Sequence, residues 1–65
     1  MITPQSARKL DTATLHYARL DLNAVIAAQE PGERQFPGTF PKLGQYLDER
    51  HAVLGEIARR QKAVK

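Results

Sequence analysis

Two apolar stripes of helical spacing, separated by a segment too rich in proline and glycine to be helical, constrain this chain more than any other feature. The first stripe runs Leu10, Thr14, Tyr17, Asp21, Ala24, Ala28, and the second Leu43, Leu47, Arg50, Leu54, Ile57, Gln61, Val64. Both step by threes and fours, the spacing of one seam along a helix. Residues 30–41 between them hold three prolines and two glycines in twelve positions, with turns expected at Pro31-Gly32 and Pro37-Gly38. A chain folded there becomes an antiparallel helical hairpin. Asp21 and Arg50, each standing where its stripe should be apolar, lie nearly equidistant from the middle of the linker. The pattern therefore predicts that they meet across the seam and fix its register. Such a pair adds little net stability, but losing one partner is costly.

The boundaries follow from local chemistry. Thr3 is a good N-cap and Pro4 suits the first helical position. The first helix is expected over 4–29, stopped by Glu30-Pro31-Gly32. A loop follows over 30–40. Pro41 opens a second helix over 41–63, with Thr39 as its best cap candidate. Nothing alternates with period two, so no strand is expected. The reading is all-α, one hairpin domain over 1–65.

Sixty-five residues bury too little surface to be robust alone. With no cysteine, disulfides are excluded and oligomerisation is the remaining remedy. The first helix carries a second apolar stripe, Leu15, Ala18, Leu22, Val25 and Ile26, which one partner helix cannot cover along with the first. It is the expected dimer interface, giving a four-helix bundle from two copies.

Catalysis has no support in the residue set. Ser6 is the only serine, and His16 and His51 are isolated from each other and from further ligands, whereas a metal needs three or four converging donors. No phosphate loop follows a strand. No enzyme activity, cofactor or metal is expected. No run approaches the roughly 18 apolar residues of a membrane span, and Met1-Ile2-Thr3-Pro4 has no apolar core of signal-peptide length. A cytoplasmic protein away from membranes is expected. The net charge of +3 comes from ten basic and seven acidic residues. In a hairpin Arg8 and Lys9 fall at the same open end as Arg59, Arg60, Lys62 and Lys65. These cations serve a helix C-terminus and solubility, or contact an acidic protein or nucleic acid.

Candidate partner-binding residues are the linker aromatics Phe36 and Phe40, the interior glycines Gly44 and Gly55 with His51 beside them, and the cluster Arg59, Arg60 and Lys62. At least one phenylalanine should fold back over the closed end of the hairpin, near Ala28 and Leu43; exposed together they would form an anchor. The glycines either allow tight packing inside the bundle or floor a docking groove.

The second helix reads Tyr46-Leu47-Asp48, then Leu54-Gly55-Glu56, then Gln61-Lys62-Ala63, and the first begins with Leu10-Asp11. This resembles the small quorum-sensing anti-activators of Pseudomonas phages, in which an aromatic-Leu-acid step is followed at the same spacing by Leu-Gly-acid and then Gln with basic residues and Ala. The linker with Phe36-Pro37-Gly38 has no counterpart in that pattern. The resemblance implies a two-helix homodimer that binds a host LuxR-type transcription activator and blocks its DNA binding, with a pilus assembly ATPase as a second possible partner. Two other classes fit the residues: a nucleic-acid-binding bundle using the basic open end, and a structural or chaperone subunit of a larger assembly.

Overall fold

The computed structural model describes residues 2–63, all-helical in architecture, with three helices and no strand among the described residues. They are α1 (Pro4–Ala7), α2 (Thr12–Gln35) and α3 (Leu43–Ala63). Val64, the last position of the second stripe, and Lys65 lie outside the described residues. Thr3 caps α1 as expected. Its hydroxyl accepts from the Ser6 amide at 3.1 Å while the Ser6 hydroxyl accepts from the Thr3 amide at 2.8 Å.

The expected first helix is divided in two. α1 ends in a tight turn, with the Lys9 amide donating to the Ser6 carbonyl and the Leu10 amide to the Ala7 carbonyl. Asp11 then starts a new helix, its carboxylate accepting from the Thr14 amide at 2.7 Å. The apolar period runs through this break, so it masks the cap.

At its other end α2 continues six residues beyond the expected stop at Gln29, through Pro31 to Gln35. Proline lacks the N–H that would bond one turn back. The following loop secures the extra turn: the Glu33 carboxylate accepts from the amides of Gly38 at 2.7 Å and Phe40 at 2.8 Å. These two bonds hold the Glu33 carboxyl below its ordinary pKa. Phe40 returns over Gly32, where a β-carbon would lie 2.7 Å from its ring. Gly38 adopts φ +94°, a left-handed conformation that favours glycine. Thr39 does not cap α3. Its hydroxyl donates to the Phe36 carbonyl at 2.6 Å, closing the turn instead, and α3 starts at Leu43 rather than Pro41.

α2 and α3 pack antiparallel: Arg60 reaches Thr12 at one end, Arg50 reaches Asn23 in the middle, and Phe40 meets Gly32 at the other end. The seam is not the expected one. Leu15, Leu22 and Ile26 are buried against Leu43, Val53 and Ile57, with Ala18 and Val25 packed at the edge of this core. The five residues expected to form a dimer interface therefore line the interior of the chain's own hairpin. The reason is area and charge. Leu15, Leu22 and Ile26 offer more apolar surface than Thr14, Ala24 and Ala28, and burying the latter stripe would also bury Asp21. α3 turns to match, leaving Leu47 and Leu54 outside. α1 packs on the flank of α3, where Ala7 is buried and the Ile2 amide donates to Glu49 Oε1 at 2.9 Å.

Candidate functional site

At the open end, one arginine gathers three segments. Arg60 donates through Nη2 to the carbonyls of Ala7, Arg8 and Leu10, through Nη1 to Thr12 Oγ1 at 3.1 Å, and through Nε to Glu56 Oε2 at 2.8 Å. The α1–α2 turn has carbonyls without helical partners, and a guanidinium fork supplies several donors at once. Glu56 also takes a two-point grip from Arg59, at 2.9 and 2.6 Å. Its side chain is 4% exposed. The hydrogen bonds of Arg59 and then Arg60 lower its carboxyl from the usual 4.5 to about 2. Of the cations at this end, Arg60 ties the α1–α2 turn to α3, while Arg59 is 55% exposed and pairs with Glu56 within α3. Lys62 is exposed.

Arg50 does not meet Asp21. Asp21 is exposed, and Arg50 Nη1 instead donates to Asn23 Oδ1 at 3.5 Å. Positions 21 and 23 lie about 200° apart around a helix, so one faces away when the other faces α3. The expected register pair is thus replaced by a single long hydrogen bond.

That bond marks the middle of an open face. Leu20 and Ala27 share the Asn23 stripe of α2, three positions before it and four after, and Leu47 and Leu54 stand in the same relation to Arg50 on α3. α1 lies elsewhere on α3 and leaves this face uncovered. Leu20 is 57% exposed, Leu47 37% and Leu54 41%. Arg19, one turn before Asn23, is half-buried, and its Nε finds no acceptor. A separate outer strip of α2, made by Ala13, Tyr17, Asp21, Ala24 and Ala28, is also exposed, with Asp21 as its one charge.

The remaining candidates are dispersed. Phe40 packs against the core as one of the pair was expected to, while Phe36 is 65% exposed. Gly44 and Gly55 face open space, since a β-carbon on either would meet nothing within 4 Å, and no part of the hairpin packs over them. Gly55 and His51 instead line a groove of about 220 Å³ beside Pro4, Arg8, Ala52 and Arg59. Among the described residues no three His, Cys, Asp or Glu side chains converge as metal ligands, and no helix is long and apolar enough to cross a membrane.

Comparison with known proteins returned no matching family model, curated protein or solved structure. The class is therefore defined by architecture alone, a small all-helical protein with an uncovered apolar face.

Three structural side chains escaped the sequence reading. Glu56 with Arg59 and Arg60 has the i,i+3 and i,i+4 spacing of a helical ion pair, a signal open to recognition. Asp11 ahead of Thr12-Ala13-Thr14 is a legible N-cap. Glu33 has no signal, because its partners are backbone amides of a loop whose path no local pattern specifies.

Proposed function

We propose that this protein is a non-enzymatic inhibitor that works by occupancy, binding a host LuxR-type transcription regulator in the bacterial cytoplasm and blocking its access to DNA. The observation that carries this reading is the uncovered apolar face around Asn23 and Arg50. Monomeric proteins seldom leave contiguous apolar surface exposed without a partner for it. The likeness of the second helix to the phage anti-activators supports the choice of a regulator as that partner, and a pilus assembly ATPase is the second candidate. In this reading the hairpin is the functional unit and two copies associate into a four-helix bundle. The dimer contact would then use the outer strip of α2, where Ala13, Ala24 and Ala28 permit close approach of two backbones and Asp21 must stay at the solvated edge.

The test is a gel-shift assay of a LuxR-type activator on its operator, with and without the protein. Loss of the activator's band supports the reading. A band from the protein itself, with the activator's band unchanged, replaces it with nucleic-acid binding. Sedimentation equilibrium at micromolar concentration should give twice the chain mass, and a folded monomer there would refute the dimer.

A further inference from the structure

The open face carries an electrostatic feature that its apolar rim does not explain. Around Asn23, between Arg19 and Ala27 on α2 and between Leu47 and Leu54 on α3, the face carries two guanidiniums, Arg50 and Arg19. Neither forms an ion pair among the described residues. Arg50 has only its long bond to Asn23, and the Arg19 Nε is buried with no acceptor. Asp21 sits on the outer strip of α2, and Glu49 is turned to the Ile2 amide. Asp48 stands at the rim of the groove lined by Leu47, Arg50, His51 and Leu54, but forms no ion pair with either guanidinium. Glu30 lies seven positions past Asn23, about 10 Å along the axis. An orphaned donor in a partly apolar setting is costly, and two like charges one turn apart add to the cost.

We propose that this face receives an amphipathic helix of a partner protein whose apolar stripe is interrupted at its centre by carboxylates, one for Arg50 and one for Arg19. The proposal rests on the occupancy reading and specifies the chemistry of the partner. Leu20, Leu47 and Leu54 meet the apolar anchors, spaced three and four residues apart, as in helix-in-groove recognition. The carboxylates answer the two guanidiniums in a setting from which the incoming helix excludes water, where charge-assisted pairs are strongest. A second copy of this chain is a poor occupant. Its matching face would bring two more guanidiniums against the first two, with only Asp48 at the groove's rim to offset them.

The test uses three synthetic helical peptides of about four turns. All carry leucines at helical spacing along one face. The first has two glutamates one turn apart in the middle of that face, the second glutamines there, the third lysines. Titrations on the intact protein, followed by calorimetry, should rank glutamate over glutamine by about tenfold or more, with lysine weakest. The preference should weaken in Arg50→Met and collapse when Arg19→Met is added to it, and Leu54→Asp should abolish binding of all three. Equal affinity of the three peptides for the unmodified protein overturns the proposal without recourse to any variant. So does a glutamate preference that survives undiminished in the double variant Arg19→Met, Arg50→Met. A dimer that dissociates on Leu54→Asp also overturns it, since a second copy then holds the face. Peptide discrimination without any effect on the activator's gel shift would leave this inference standing and remove the regulator. A blocked activator with no peptide discrimination would do the reverse.

Discussion

Ile26→Ala separates a side chain inside the hairpin from one between two copies. Ile26 is 1% exposed and sits in the core with Leu22, Val53 and Leu43. The substitution removes three carbons, about 2.4 kcal/mol at the transfer value of a buried methylene. The cavity left between two helices held at both ends relaxes incompletely and adds about 1 kcal/mol. The total, about 3–4 kcal/mol, is a large part of the roughly 3–10 kcal/mol that a chain of this length has available. It corresponds to a fall in Tm of about 12–30 °C. The assay is thermal and urea unfolding followed by far-ultraviolet circular dichroism, repeated over about a hundredfold range of protein concentration. A core residue costs the same at every concentration, because its contacts lie within one chain. An interface residue loses its effect as mass action restores the dimer. A penalty that shrinks with concentration, or one below about 1 kcal/mol, would refute the placement of Ile26 in the intramolecular seam.

Other outcomes follow from the capping and charge chemistry. Glu56 has a folded pKa near 2 against an unfolded value near 4.5, so the unfolded chain binds more protons between these values. Its contribution is complete above about pH 4.5 and disappears as pH falls toward 2; Glu56→Gln should lower Tm at neutral pH and flatten the acid limb, read by melts from pH 7 to 2. An unchanged acid limb would remove Glu56 from the account. Gly44→Ala and Gly55→Ala should each stabilise by up to about 1 kcal/mol, since both positions are helical and open. Gly32→Ala should lose stability despite the same gain in helix propensity, because the new methyl must displace Phe40; a melt showing all three substitutions equally stabilising would contradict the Phe40 contact.

The sequence makes the two long helices legible because their apolar residues repeat at helical spacing and Thr3-Pro4 is a strong start. It does not show which of two stripes on the first helix faces inward. Both repeat equally well, and the choice depends on comparing the area and charge each would bury. Leu15, Leu22 and Ile26 win because they are larger and their stripe has no carboxylate. The Asp21–Arg50 pairing falls with the wrong stripe, since it inherits that choice of face. The end of α2 is not legible in the sequence, because Pro31-Gly32 is a strong stop in isolation. Glu33 holds the turn past it through amides belonging to a loop, and Gly32 is needed for its lack of a side chain under Phe40. The open face became visible only with the seam settled. Leu47 and Leu54 belong to the stripe that the sequence alone places in the interior.

The reach of Arg60 to carbonyls at 7, 8 and 10 also determines when the molecule can close. Some fifty residues separate these partners, and bringing them together from an open chain costs about 3.5 kcal/mol of loop entropy. Pairing of Asn23 and Arg50 spans only half that length, so loop entropy favours a hairpin that zips from its turn and shortens the remaining loop before the ends meet. The Arg60 contacts are then the last to form on the way in and the first to break on the way out. Substitution at Arg60 should speed unfolding while leaving the folding rate nearly untouched. The lifetime of the native chain is accordingly governed from its two ends, far in sequence from the turn where folding begins.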